Sequence, residues 1–226
     1  MKLITPTPMV SDRAAEEIRA AILNGTLAPG SRVRQEELAE KLGVSREPVR
    51  KALALLEKEC LVNSVPNRGA IIAPLDAPFI DQIYEFREAV ETYVAAKVAE
   101  QGNLDCAAIR GVIAEGRKAL RAGSRDRLIE SDLAFHSELY KASGNPVVVE
   151  VMRTQWSHIS RAMLMTLTVT AYQKQVWDEH EAIVEAIVMR DTARARELSS
   201  EHIRGAQALL RANLDQVIGK TEGADA

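Results

Sequence analysis

Residues 36–72 contain two short helical patterns around a single glycine, followed by two β-prone runs. In the first pattern, Leu38, Ala39 and Leu42 share one helical face, and Gly43 has the backbone freedom that suits a helix end. Two helices around a tight turn, followed by a hairpin, are the elements of a winged helix-turn-helix. We therefore predict this fold for the first part of the chain.

The second helical pattern begins at Ser45, whose hydroxyl is expected to cap free backbone N–H groups. Four apolar residues recur at helical spacing and form its predicted buried face: Val49, Ala52, Leu53 and Leu56. Arg46, Arg50 and Lys51 remain on the outer side, where cations can contact DNA. Helix pairs with surface arginines also occur in proteins that never touch nucleic acid, so this pattern alone is only moderately specific.

The β-prone runs Leu61–Val65 and Ala70–Ala73 are joined by the sequence PNRG. Proline, asparagine and glycine favour turns, which predicts a hairpin with Arg68 at its tip. We expect this hairpin to be a second point of contact with DNA.

The segment 18–75, IRAAILNGTLAPGSRVRQEELAEKLGVSREPVRKALALLEKECLVNSVPNRGAIIAPL, resembles the GntR family of bacterial transcription factors. The family has a first helix, here near Ser11–Asn24, a turn like GTLAPGSRV and a wing tip like NRGA. The resemblance implies that Arg46 and Arg50 contact bases and phosphates, since arginine reads guanine in the major groove. It also implies DNA-backbone contact by Ser45 and minor-groove contact by the wing residues Arg68 and Gly69.

Two positions depart from the family pattern. Some relatives have an arginine where this chain has Glu36, so that DNA contact is expected to be absent. Cys60 stands where the family often has glycine, and we expect a left-handed backbone there with the thiol buried as a small hydrophobe. A redox role for Cys60 stays open.

Length and charge indicate two domains. The sequence APLDAP between Pro74 and Pro78 interrupts the helical pattern and predicts a boundary. We expect a winged helix-turn-helix DNA-binding domain over residues 1–75, with 11 Lys and Arg against 9 Asp and Glu, a net charge of +2. Residues 76–226 form the predicted effector and dimerisation domain, with 18 against 23, a net charge of −5. The positive charge is small, so DNA binding must depend on local placement of cations.

The start of the chain, MKLITPTPMV, has prolines where a signal peptide needs an apolar run, and no stretch is long enough to cross a bilayer. We therefore expect a cytoplasmic protein with no membrane partner. Cys60 and Cys106 are the two cysteines, and they support neither a disulfide framework nor a thiolate zinc site.

From Pro78 the pattern is helical, with breaks at Gly102, Gly123, the SGNP turn and Asp191. Amphipathic spacing together with these breaks predicts six helices, near 78–101, 105–122, 125–142, 146–166, 169–190 and 192–218. No solenoid repeat is evident, so a mainly α fold with an antiparallel bundle is the expected architecture.

Four residues of this bundle are typical metal ligands. Asp132 and His136 are four apart on one helix, which places an oxygen and an imidazole side by side. His180 and His202 each lie 11 residues from Asp191, so an antiparallel hairpin brings them to the same height. A lone histidine is usually a surface residue or a satisfied core residue, but the two spacings together favour a metal site.

The segments DLAFHSELYKASGN, HEAIVEAIVMRD and EHI resemble the FCD ligand-binding domain attached to one GntR subgroup. In metal-binding FCD domains the pattern supplies one Asp and three His, which implies Asp132, His136, His180 and His202 as ligands here. A helical domain of six helices rather than seven resembles the VanR-type branch of this subgroup. Zinc is the default ion, although nickel, iron, cobalt and manganese suit the same donors.

A bound ion with open positions could receive a small carboxylic acid. The family pattern implies Arg87 as the anion partner. Arg153 is a second candidate, because it lies nine residues after Gly144 while His136 lies eight before it, at similar height. For each arginine a surface salt bridge is the alternative.

These elements together predict a homodimeric regulator that binds double-stranded operator DNA and responds to a carboxylic-acid effector. From the family resemblance we expect it to be a repressor. Two alternatives stay open. One is a metal sensor in which the ion is the signal. The other is a metal-dependent hydrolase, with Glu130, Glu138 or Glu179 as general base, although no enzyme requires a winged helix.

Overall fold

The computed structural model describes residues 9–65, 69–166 and 170–222. The chain divides between Leu75 and Asp76 into two compact units. Among the described residues, no helix is long and apolar enough to cross a membrane.

The described part of the first unit has three helices and a small sheet. Its elements are α1 (Val10–Leu23), β1 (Arg32–Val33), α2 (Gln35–Leu42), α3 (Arg46–Lys58), β2 (Val62–Val65) and β3 (Gly69–Ile72). The strands are antiparallel in the order β1-β3-β2. The predicted winged helix-turn-helix is confirmed. Sequence analysis missed β1, because two residues are too few to show an alternating pattern.

The core of the first unit is formed where α3 packs against α1, α2 and β2. All four residues of the predicted inner face of α3 are buried: Val49, Ala52, Leu53 and Leu56. They join Ile18 and Ile22 of α1 and Ile72 of β3 in one apolar cluster. Because this face is buried, the cations on the opposite side of α3 are left in solvent.

Three details of the helix ends test the sequence predictions. Gly43 ends α2 in the left-handed conformation, with φ of 64°, as expected. Ser45 is the N-cap residue of α3, but its hydroxyl makes no capping hydrogen bond. The prediction that this hydroxyl caps the helix was therefore wrong. Cys60 has the expected left-handed backbone, with φ of 57°, but its side chain is exposed rather than buried. The buried place is taken by the next residue, Leu61.

The described part of the second unit contains six helices, as predicted. They are α4 (Ala77–Gln101), α5 (Cys106–Arg121), α6 (Arg125–Ala142), α7 (Pro146–Thr166), α8 (Thr170–Val188) and α9 (Thr192–Glu222). Helix α4 contacts α6, α7, α8 and α9, so it lies at the centre of the bundle. Its start is capped by Asp76, which accepts a hydrogen bond from the Phe79 N–H, and it ends at Gly102 with φ of 64°.

A glycine on α5 controls how closely α8 approaches. A Cβ atom built on Gly116 would lie 2.1 Å from the indole ring of Trp177. That ring is buried, and its centroid is 5.1 Å from the His180 ring on the same helix. The missing side chain at Gly116 therefore helps to position His180.

We expect Gly116→Ala to lower the free energy of unfolding by about 1–3 kcal/mol, because the buried indole must move to accept the methyl group. Gly111→Ala on the same helix is the matched control, since a Cβ there would meet no atom within 4 Å. Alanine favours helix over glycine by up to about 1 kcal/mol, so the control should be neutral or more stable. Urea denaturation measures both variants, and equal loss in both would contradict this packing.

Candidate functional site

The second unit brings together the four ligand-type residues of the sequence analysis. Asp132 and His136 come from α6, His180 from α8 and His202 from α9. All four side chains are buried, with at most 4% of each residue exposed. The three histidines offer nitrogen atoms that lie within 4.8 Å of one another.

The donor atoms of this cluster are close together. His180 Nε2 lies 3.3 Å from His202 Nε2 and 3.4 Å from Asp132 Oδ1. Asp132 Oδ2 lies 3.6 Å from His136 Nε2. Two ligand atoms of a tetrahedral ion with bonds of about 2.0–2.1 Å are themselves about 3.3 Å apart. The separations therefore suit a single small ion.

Carboxylates on the outer side orient two of the three imidazole rings. Glu91 Oε2 is 2.8 Å from His136 Nδ1, and Glu179 Oε2 is 2.7 Å from His202 Nδ1. A proton on each Nδ1 directs the Nε2 lone pair toward the centre of the cluster, as in carboxylate–histidine–metal triads. Glu179 is hydrogen-bonded to the His202 ring, and Glu91 lies in close contact with the Nδ1 atom of His136.

The surroundings of His180 and Glu179 also favour a neutral imidazole and an ionised carboxylate. Burial lowers the pKa of His180 well below the usual range, with further lowering from His202, His136 and Arg87. That imidazole is therefore neutral at pH 7, with a free lone pair. Burial opposes ionisation of Glu179, but the contact with His202 and the hydrogen bond from Gln175 together lower the pKa of Glu179.

The donor set fits a divalent transition metal. Three imidazoles and one carboxylate are typical ligands of zinc and of related ions. Asp132 Oδ2 is buried and accepts no hydrogen bond from the described residues, which suits an oxygen that binds an ion. The chain has one further histidine, His158, whose ring packs against Phe79.

Arg87 lies at the edge of the cluster with only 2% of its surface exposed. Its Nε donates to Glu91 Oε1 over 2.6 Å, and one terminal nitrogen is 2.7 Å from His136 Nε2. Its guanidinium carbon is 5.5 Å from the centre of the Tyr84 ring and 5.7 Å from that of the Trp156 ring. Of the two predicted anion partners, Arg87 is the one that the structure brings to the cluster.

Glu91 and Tyr140 are site residues that the sequence analysis missed. The Tyr140 hydroxyl donates to Glu91 Oε1 over 2.8 Å. Burial opposes ionisation of Glu91, but the charge of Arg87 and the contact with His136 hold the pKa of Glu91 far below the usual range. The available signal was spacing, since Glu91 is four residues after Arg87 and Tyr140 is four residues after His136.

The structure does not bring Arg153 to the cluster. Its side chain is exposed on α7 and donates to Glu150 over 3.1 and 2.7 Å. A similar distance from the turn predicted a similar height along the bundle, but it did not fix which face of α7 points inward. That face presents Trp156, whose ring centroid is 5.6 Å from that of His136.

In the first unit, Arg46, Arg50 and Lys51 are exposed on the outer face of α3. Arg46 is 3.1 Å from Glu36, and Arg50 contacts Glu47 through two hydrogen bonds of 2.8 and 2.7 Å. Each arginine is thus paired with a surface carboxylate.

The remaining predicted DNA contacts lie next to α3 and in the wing. Ser45 precedes α3 and is exposed. Gly69 begins β3 with φ of 84°. A Cβ built there would lie 3.3 Å from the Val33 carbonyl oxygen, so the position is tight as well as left-handed. Arg68 lies outside the described residues.

A DNA-binding fold joined to a helical unit with a buried ligand cluster defines a transcriptional regulator. Residues 10–72 match the bacterial regulatory proteins of the gntR family, and residues 82–205 match the FCD domain. The FCD match alone spans more than half of the chain, and the chain belongs to the GntR family with a C-terminal FCD domain.

Curated relatives of the chain are also transcriptional regulators. The chain is 32% identical to an HTH-type transcriptional regulator in an unstable DNA locus of Streptomyces ambofaciens, over 83% of this chain and 79% of that protein. It is 24% identical to the gluconate operon transcriptional repressor of Bacillus licheniformis, over 93% and 84%. These relatives are regulators, so the hydrolase alternative is set aside.

Two solved structures share the fold. McbR/YncC of E. coli has a TM-score of 0.77 at 20% identity, with 92% of this chain and 100% of that chain covered. The Zn²⁺-bound FCD domain of TM0439 has a TM-score of 0.51 at 22% identity, with 63% and 98% covered.

We expect Tyr140→Phe to lower the free energy of unfolding by about 1–3 kcal/mol, because the buried Glu91 carboxylate loses a hydrogen-bond donor. Tyr93→Phe is the control, since that hydroxyl accepts a hydrogen bond from Lys97 at the surface and its loss should change little. Urea denaturation in the presence of a chelator compares the two. Equal stability of Tyr140→Phe and the native protein would contradict the role given to this hydrogen bond.

Proposed function

We propose that this regulator is a homodimeric repressor whose affinity for a two-fold operator is set by a small carboxylate bound beside a divalent metal ion. The observation that carries the proposal is the buried cluster of Asp132, His136, His180 and His202 with a cation, Arg87, at its edge. It belongs to a chain whose other part is a gntR-family DNA-binding unit.

The proposed DNA contacts are the exposed cations of α3, Arg46, Arg50 and Lys51, with Ser45 beside them. Arg68 and Gly69 of the wing are proposed to enter the minor groove. The ion pairs with Glu36 and Glu47 do not prevent this, because exposed pairs contribute little and phosphates can replace the carboxylates.

One such unit offers only a few base contacts, and operators read by this motif usually have two half-sites. Two copies of the chain, related by a two-fold axis, would place two α3 helices about one helical turn of DNA apart. A repressor of this kind would act in the cytoplasm, where bacterial operators are found. Dimerisation therefore belongs to the proposal as the source of operator specificity.

Zinc is the first choice for the ion, with nickel, iron, cobalt and manganese as alternatives. The proposed ligands are Asp132, His136, His180 and His202. A zinc-bound FCD domain of similar fold supports zinc as the ion. Bound there, the ion would supply a fixed positive charge. An octahedral ion would also keep open coordination positions beside these four ligands, which an oxygen ligand could fill.

A carboxylate is the proposed effector because the chain's own residues favour an anion. Arg87 has guanidinium N–H groups suited to planar carboxylates, and it lies among aromatic rings that exclude water. One relative is named for the operon of gluconate, which is itself a carboxylate. The effector can change operator affinity only by its difference in affinity for the two states of the dimer.

Arg46→Ala and Arg50→Ala should each weaken operator binding by about 5- to 100-fold, because a bidentate base contact is lost. Lys58→Ala is the matched control, since it removes one cation from the last turn of the same helix, about 18 Å from Arg46. Fluorescence anisotropy with the protein's own promoter DNA measures the three variants at one salt concentration. If all three weaken binding equally, the arginines provide general charge and not recognition.

The native protein should bind one zinc ion per chain, and His180→Gln should lose it because three donors remain in place of four. His158→Gln is the matched control, because His158 is a buried histidine outside the donor cluster, and it should retain the ion. Metal content after dialysis and competition with a chelating dye provide the measurement. Retention of zinc by His180→Gln would contradict the site.

Promoter binding measured with zinc and small carboxylates, separately and together, distinguishes the two regulatory alternatives. The proposal expects release only when zinc and an acid such as gluconate are both present. Release by zinc alone would support the metal-sensor alternative.

A further inference from the structure

His136 has two partners, and only one arrangement of its proton satisfies both. Nδ1 lies 2.8 Å from a carboxylate oxygen of Glu91, and Nε2 lies 2.7 Å from a terminal nitrogen of Arg87. A guanidinium can only donate hydrogen bonds, so Nε2 must be the acceptor and Nδ1 must carry the proton. The Nε2 lone pair of His136 is therefore engaged by Arg87.

The same lone pair is the one that the proposed metal site requires. Of the two ring nitrogens, Nε2 faces the Asp132 carboxylate, from which it is 3.6 Å away. A nitrogen lone pair cannot bind an ion and accept a hydrogen bond from a guanidinium at once. The guanidinium also keeps its positive charge at all pH values of interest, so it opposes a cation beside it.

Arg87 is anchored at a second point, which lets this one contact change alone. Its Nε donates to Glu91 Oε1 over 2.6 Å, and its guanidinium lies over the Tyr84 ring. If the terminal nitrogen leaves His136, the ion pair with Glu91 can remain. The released N–H groups then point into the site without a partner, and a carboxylate oxygen would satisfy them.

We propose that Arg87 competes with the metal ion for His136 Nε2, so that loading of the ion releases the arginine to receive the carboxylate. This inference rests on the proposed function of the cluster. It gives Arg87 two opposite effects, because the arginine weakens binding of the metal and strengthens binding of the anion. Metal and carboxylate then bind cooperatively, each increasing the affinity for the other by the same factor.

The test is zinc binding by the full-length protein, measured by chelator competition in a buffer free of carboxylates. Removal of Arg87 alone would leave the buried Glu91 carboxylate without its cationic partner, and the uncompensated negative charge could attract zinc for an unrelated reason. The comparison is therefore between Arg87→Met/Glu91→Gln and Glu91→Gln. Circular dichroism establishes that both variants are folded.

The double variant should bind zinc roughly 10- to 100-fold more tightly than Glu91→Gln, since it loses a charged hydrogen bond that competes for the ligand. Arg117→Met is the control for loss of a cation near α8, where Arg117 pairs with Asp178 and Glu181. It should leave zinc affinity unchanged.

Equal or weaker zinc binding by the double variant, relative to Glu91→Gln, would overturn the competition while leaving the metal site intact. A second readout is the Nε–H NMR signal of Arg87, identified by its absence in Arg87→Met, which should shift when zinc is added to the native protein. An unshifted signal at full zinc occupancy would also overturn the inference. If His180→Gln binds zinc as the native protein does, the proposed site itself fails, and the competition fails with it.

Discussion

The carboxylate of Glu91 is the contact on which the interior of the second unit depends. It receives Arg87 Nε and the Tyr140 hydroxyl on one oxygen, while the other oxygen lies beside His136 Nδ1. An unpaired carboxylate in a helix core would cost several kcal/mol, so these three partners must stay in place. They come from α4 and α6 and fix how the two helices meet.

This requirement links stability to the buried cluster of Asp132 and the three histidines. Glu91, which pairs with Arg87, also orients the ring of His136. Glu179 orients the ring of His202 in the same way. Helix α4 contacts four other helices and begins directly after the boundary at Leu75 and Asp76. A change at Arg87 is therefore a change in the central helix of the bundle, which is also the element covalently joined to the DNA-binding unit.

Sequence periodicity predicted most of the fold because each signal is local. The glycine at position 43 and the apolar spacing of α3 specify the helix pair. Gly102, Gly123 and the SGNP turn separate the first four of the later helices. The spacing of His180 and His202 about Asp191 also predicted that they lie at the same height in the bundle. The 3.3 Å between their Nε2 atoms agrees with this prediction. The two-residue strand β1 was missed because its pairing with β3 is a tertiary contact.

The sequence by itself determined the helices, the cationic face of α3 and which histidines share a level in the bundle, because backbone geometry and amphipathic spacing repeat along the chain. Only the tertiary structure decided which face of each helix points to the cluster. For that reason Arg87, which the family resemblance implied, lies inside. Arg153 lies outside, although its position along α7 predicted a height similar to that of His136. Helix rotation is set by packing against several neighbours at once, and no single segment contains that information.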